Sequence, residues 1–344
     1  MNPFILGLLL LFSIAANCFS QERRLYDEYT FMFYNTENFF DCENDSLTQD
    51  DEFTYDGDRR WNYGRLYDKA DRLAKVILAA GKWNVPVFVG LCEVESQQAL
   101  EVLVKQTPLK KYNYKIIHKD SPDARGIDVA LIYRPELFNP FEYKAIPVMD
   151  PTNPEFKTRD ILLVSGIINN CDTIHIFVNH WPSRYGGVME TVRLRSLAAE
   201  MLKKSIQELF IRYTDASIIC MGDFNDSPVD ESISGVLKAV KSDNPRVHGE
   251  MINLSSEWMT QPVQTLKNMY SWQVFDQWIV SDYFTESKSC LKFIKAEIFE
   301  AGFLLEPDKK YGGVKPKRTY VGFKYQDGFS DHLPILLRCT STKK

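Results

Sequence analysis

The chain has 344 residues, of which 44% are apolar and 13% aromatic. That is enough for a sizeable core, in one large domain or two medium ones, and it excludes a disordered or fibrous protein. A net charge of −5 argues against a protein that coats nucleic acid by bulk attraction alone, which rests on Lys and Arg; it does not exclude an enzyme that meets phosphate through a cation held by carboxylates.

Phe4 to Ile14 is an almost unbroken apolar run, too short for a bilayer span of about 20 residues. Small and polar residues follow from Ala15 to Ser20, so the run predicts a secretory signal peptide cleaved after Ser20. Residues 1–20 are read as the signal and 21–344 as the exported chain, periplasmic or secreted. Lipid attachment at Cys18 is the rival reading. No later segment is apolar enough to span a bilayer, so no stable membrane insertion is expected, and a monomer is.

Beyond the signal, short β-branched or aromatic runs alternate with amphipathic stretches. Strands are predicted at Thr30 to Asn35, Val85 to Leu91, Asp128 to Tyr133, Asp160 to Ile168 and Thr173 to Asn179. Three more fall at Ser217 to Met221, Gln273 to Val280 and Leu333 to Leu337. In Leu66 to Ala80, residues Leu66, Ala70, Leu73 and Ile77 share one stripe and Gly81 is a stop, which predicts a helix. Val192 to Tyr213 reads the same way. Asn44 to Tyr63 and Pro245 to Lys267 read as long loops. Many strands with a few amphipathic helices, and no linker, predict one α/β domain built as a layered sandwich. Six cysteines follow the signal, none in a CxxC pair, which argues against structural zinc or a thioredoxin-type site. Cys92 and Cys220 lie in apolar runs and read as core residues.

Polar residues collect where these strands end. Asn35 closes the first, Cys92-Glu93-Val94-Glu95 the second, and Asn179-His180-Trp181 the fifth. Gly222-Asp223-Phe224-Asn225-Asp226 closes the sixth, Asp276 interrupts an apolar run, and Ser330-Asp331-His332 opens the last strand. Each has an ordinary explanation alone: Asp and Asn make turns, and a Glu at a strand end is usually solvated. Asp276 is the exception, since a carboxylate among Val274, Phe275, Trp278 and Ile279 is costly unless paired or metal-bound. Strand ends on one edge of a layered sheet converge, and oxygen ligands of this kind suit Mg²⁺ or Mn²⁺.

In this order the motifs resemble the endonuclease/exonuclease/phosphatase superfamily, from Phe33-Tyr34-Asn35 to Ser330-Asp331-His332-Leu333-Pro334. The Asn179-His180-Trp181-Pro182-Ser183-Arg184 stretch is similar to exported bacterial members. The resemblance implies a four-layered α/β sandwich, two packed mixed sheets flanked by helices. It also implies a metal site at Asn35 and Glu93, with Glu93 the direct ligand and Asp331 a second metal-side carboxylate. Asp223 would orient or deprotonate the attacking water, and Asn225 and His180 would face the phosphoryl oxygens. Asp276 would pair with His332, which would contact phosphate or act as acid or base. Arg184 is expected at the substrate, with Arg193 nearby, and Asp128 as a partner of His180.

The expected function is an exported, metal-dependent phosphoester hydrolase, first of all a phosphodiesterase or nuclease. The segment from Lys309 to Arg318, with Tyr311 and Tyr320, offers charge and stacking for a nucleic-acid strand, or else is a solvated loop. The alternatives are a phosphatase of phosphorylated small molecules or lipid head groups, and a non-catalytic binding protein on the same fold.

Overall fold

The computed structural model describes residues 28–341 apart from 83, 169–171, 246 and 287–289. The signal segment and Cys18 lie outside the described residues, as does Cys171. Among the described residues no helix is long and apolar enough to cross a membrane.

Two mixed sheets stack face to face. The first has six strands, ordered edge to edge Leu291–Ile298, Ile335–Ser341, Glu28–Phe39, Phe88–Val94, Asp128–Tyr133 and Lys115–His118. The second has seven: Phe138–Ile146, Ile161–Ile168, Asp172–His180, Ser217–Asp223, Asp276–Ser281, Met251–Asn253 and Val240–Lys241. Between them lies a core of Phe31, Phe33, Phe88 and Leu131 from the first sheet against Val164, Ile176, Met221 and Trp278 from the second. The outer face of the first sheet (Met32, Tyr34, Val89, Leu91) is covered by helix Tyr63–Gly81 through Leu66, Leu73 and Ile77. Helix Val188–Arg212 covers Phe177, Ile218 and Cys220 of the second through Ala198 and Leu202. The four-layered sandwich is therefore present. With both faces covered, the central strands read as continuous apolar runs rather than alternating ones.

Helix Tyr63–Gly81 begins where the Asn62 side chain accepts the Arg65 amide at 3.2 Å, an N-cap that satisfies one orphan donor. Several elements were not legible. Strands Phe138–Ile146 and Leu291–Ile298 are half-exposed and carry too many charges to stand out. The expected loop Pro245 to Lys267 contains strand Met251–Asn253 and a 3-10 turn, Ser256–Thr260. Cys92, Cys220 and Cys339 are buried and free, and Cys290 is disulfide-bonded.

Candidate active site

The period of two along a strand accounts for most of the site. Phe31 and Phe33 face the space between the sheets, so Asn35 does too; Ile176 and Val178 carry His180 there, and Ile219 and Met221 carry Asp223. From the other end of its strand, Asp276 continues the face of Trp278 and Val280. The polar residues are thus the last layer of the inter-sheet core, where its apolar filling stops. Register locks them together: Asp223 lies opposite Asp276 on one side and His180 on the other. Gly222 permits the second approach, because a Cβ there would stand 2.3 Å from the Asn179 carbonyl oxygen.

Glu93 arrives differently. Simple alternation would put it on the helix-covered face with Leu91. The ladders shift register on both sides of it, and its backbone is left-handed (φ 58°). Such a bulge re-aims a side chain, and here it brings Glu93 to Asn35. Glu37, Asn38 and Asn225 are also left-handed, at φ 51°, 59° and 51°. Non-glycine residues in that region store strain, and they gather at sites.

The side chains interlock. Asn35 Nδ2 donates to Asp223 Oδ2 at 3.1 Å and to Glu93 Oε1 at 3.4 Å, while its Oδ1 accepts the Glu37 amide at 2.9 Å. Asn35 is therefore placed to clamp the two carboxylates. Glu93 Oε2 accepts the Asn38 amide at 3.0 Å. His180 Nε2 lies 3.9 Å from Glu93 and 3.8 Å from Asp223, and His332 Nε2 lies 3.8 Å from Asp223. His332 Nδ1 donates to Asp276 Oδ2 at 2.7 Å. The Asn225 amide N–H donates to Asp223 Oδ1 at 3.0 Å, and its side-chain Nδ2 to the Trp181 carbonyl at 3.1 Å. Asn35, Glu93, His180, Asp223, Asn225, Asp276 and His332 form one connected group.

Its electrostatics separate the two histidines. Burial alone would lower the His332 imidazole, but the charges of Asp276 and Asp223 hold it well above the ordinary histidine value. Burial, with Arg159 and Arg125 adding, holds His180 well below that value. The surroundings thus favour the protonated form of one ring and the neutral form of the other. Burial pushes the Asp223 carboxyl up to about 7, against the pull of His332 and with Asp276 and Glu93 adding to the rise.

The donor set fits a hard divalent cation. Glu93 is partly exposed, its Oε1 accepts one long hydrogen bond, from Asn35, and Asp276 Oδ1 is buried with no hydrogen-bond partner among the described residues. Three carboxylates so close favour a positive partner. Asp331 stands one step out: it pairs at 3.0 Å with Arg318, which also pairs with Glu37 at 2.9 Å.

Other expected residues have different work. The Arg184 guanidinium donates to the Asn225 carbonyl at 2.8 Å and pairs with Asp226 and Asp230 at 2.8 and 2.6 Å. Its charge is committed to two carboxylates, and it supports the loop that carries Asn225. Arg193 is bound to Asp150. Asp128 does not orient His180: it is held by His118 at 3.1 Å and by Ser121, and the His180 Nδ1 has no hydrogen-bond partner among the described residues. His118, Asp120 and Asp128 bring potential metal-binding atoms within 4.8 Å of one another, apart from the connected group. In the basic segment Tyr320 is buried against Phe53 and Trp61 and cannot stack on a ligand, and Lys315 pairs with Glu306.

Two positioning residues gave no signal in the sequence. Arg159 is buried, donates to the carbonyls of His180 (3.3 Å) and Trp181 (2.6 Å) and pairs with Asp123 at 2.9 Å. Thr265 Oγ1 accepts the Asp276 amide at 3.2 Å, and its carbonyl accepts the Leu333 amide at 2.7 Å. It ties together the two chain segments that carry the Asp276–His332 pair. Both sit in stretches without apolar periodicity, which is the pattern that sequence reading relies on.

No curated protein sequence matches the chain. Solved structures share its fold at low identity. A humanised D. rerio TDP2 is 14% identical with a TM-score of 0.55, covering 91% of this chain and 99% of its own. A mannosyl-6-phosphatase from Bacteroides thetaiotaomicron is 15% identical with a TM-score of 0.56, over 91% and 99%. The human Nocturnin catalytic domain with bound sulfate is 16% identical with a TM-score of 0.53, over 92% and 96%. A family model described as "Endonuclease/Exonuclease/phosphatase family" matches residues 30–341, nearly the whole described chain and every residue of the site. The chain therefore belongs to the endonuclease/exonuclease/phosphatase family, whose fold it carries.

Proposed function

We propose that the chain is an exported, monomeric, Mg²⁺- or Mn²⁺-dependent phosphoester hydrolase that cleaves phosphodiesters, nucleic acid among them. The observation that carries this reading is the single connected group drawn from both sheets, in which carboxylates, a neutral histidine and a charged histidine meet. Glu93 would hold the cation, with Asn35 fixing its carboxylate and Asp331 contributing from behind Arg318. When bound, the cation supplies Lewis-acid neutralisation of a phosphoryl oxygen. Asp223, raised to about 7, is matched to accept a proton from water near neutral pH. His332, held protonated by Asp276, donates to the charge that develops on phosphate. His180 and the second Nδ2 hydrogen of Asn225 donate to the same oxygens, and one such donor contributes roughly 3 kcal/mol where measured in other enzymes.

A second reading, hydrolysis of a small phosphomonoester, is favoured by an acidic surface elsewhere on the molecule and by the lack of a free cation at Arg184 and Arg318. A cavity of about 570 Å³, apart from the connected group, is lined by Asp41, Glu43, Asp45, Glu95, Asp120 and Asp128 together with Lys157. Like charge rejects an extended polyanion on that side, and Arg184 and Arg318 are already neutralised.

Turnover of bis-p-nitrophenyl phosphate against p-nitrophenyl phosphate, with Mg²⁺, Mn²⁺ or EDTA, tests both. Metal-dependent diester cleavage supports the first reading and monoester preference the second. Full activity after exhaustive chelation removes the cation from the mechanism.

A further inference from the structure

Asn225 follows Asp223 by two residues and sits in a left-handed turn (φ 51°). Asparagine tolerates that region better than most residues but still pays a strain cost there, so something must hold the turn. The next residue, Asp226, is buried, and each of its oxygens is engaged. Its backbone carbonyl accepts Gln277 Nε2 at 2.6 Å, and its Oδ2 accepts the Ser232 hydroxyl at 2.7 Å. Its Oδ1 lies between two guanidinium groups, Arg184 Nη2 at 2.8 Å and Arg195 Nε at 2.7 Å.

Arg195 is fully buried in helix Val188–Arg212. Its Nη1 donates to Thr191 Oγ1 at 2.8 Å, and its Nε meets Asp226 by charge without the alignment of a hydrogen bond. A buried ion pair is poor evidence for stability, because apolar residues of similar volume often replace one at no loss. What such a pair supplies is a fixed relative position. Here it fastens the outer helix layer to the loop between Asp223 and Asp226, and no other cation in that helix reaches the loop.

We infer that Arg195 and Asp226 are positioning residues, which hold Asn225 in its left-handed turn so that its amide N–H and the Asp223 carboxylate keep their aim. Neither touches the reacting atoms. The inference rests on the phosphoester-hydrolase reading for its catalytic consequence, but not for its structural one.

The test compares the parent with Arg195→Met, Arg195→Lys and Arg195→Met/Asp226→Leu. It reads kcat and KM on bis-p-nitrophenyl phosphate, thermal melts, and amide hydrogen exchange over residues 222–230. Arg195→Met should lower kcat by about 10- to 100-fold, the scale of a misplacement near 1 Å, with KM changed less than about threefold. Arg195→Lys should recover part of the loss. The double variant, which leaves no charge unpaired between the two positions but also takes Asp226 from Arg184 and Ser232, should melt no lower than Arg195→Met yet keep the low kcat, and exchange of the 224–226 amides should quicken in both Met variants. Parental kcat and parental exchange in the double variant would overturn the inference, and that variant decides the question if Arg195→Met fails to fold. If the parent hydrolyses no phosphoester, the functional reading falls, while exchange still decides whether Arg195 holds the loop.

Discussion

The two sheets bring their halves of the site together by different means. The second sheet does it with regular pairing: His180, Asp223 and Asp276 are ladder neighbours, and each continues an inward-facing apolar row. The first sheet does it with broken pairing. Only Asn35 lies in register, while Glu93 is turned by a bulge and Glu37 and Asn38 stand in left-handed backbone. The pair of Asp276 with His332, which leads into strand Ile335–Ser341 of the first sheet and so joins the two sheets, is aimed by charge, and the side that carries Glu93 is aimed by strain. Substitutions should therefore act through protonation in one and through geometry in the other.

The largest effect should come from Glu93→Gln. It keeps the shape of the bulge but removes the charge proposed to hold the cation, so activity at saturating substrate should fall at least 100-fold and excess Mg²⁺ should restore part of it. Metal titration by calorimetry checks this. A variant with parental metal affinity would move the cation away from the first sheet.

A smaller effect is expected at Asn38. Asn38→Val forces a β-branched residue into φ 59° and should destabilise the fold by roughly 1–3 kcal/mol, whereas Asn38→Gly should be nearly neutral or stabilising. Denaturant melts measure the difference. Equal stability for both variants would mean that strain is not what holds this half.

The smallest effect sharpens the charge side. His175 lies in the same strand as His180 but faces no carboxylate at close range; it contacts Ser165 Oγ at 2.8 Å, and burial lowers it to about 4. Below the unfolded histidine value of about 6.5 the unfolded chain takes up a proton that the folded chain refuses, so stability should fall as pH drops from about 6.5 to 4. His175→Gln should flatten that slope by about one proton. His332, held high by Asp276, contributes in the opposite sense: its stabilisation is present at low pH and is lost as pH rises past its own elevated value. An unchanged acid slope in His175→Gln would assign the protons elsewhere.

The same contrast explains what could be read in advance. Asp276 was legible because a carboxylate inside an apolar run has few outlets, and Asp223 and His180 because they close strands whose inward period is clear. Glu93 could be named from its motif, but not its path into the site, since a bulge breaks the alternation from which facing is inferred. Arg184 looked like a substrate cation because its partners, Asp226 and Asp230, lie more than forty residues away. The partner of Asp128 is hidden for the opposite reason: His118 is near in sequence but stands on a short edge strand, Lys115–His118, too faint to predict.

The central claim is that Asp276 and His332 act as one charged unit at a phosphoester-cleaving site. The direct measurement is kcat/KM on a soluble phosphodiester for the parent, Asp276→Asn, His332→Ala and the double variant, with melts to confirm folding. The account predicts that each single variant loses at least about 100-fold and that the double variant is little worse than the worse single one, because residues acting as a unit are not additive. Losses that multiply in the double variant would contradict the pairing, and single variants at near-parental rates would contradict the site itself.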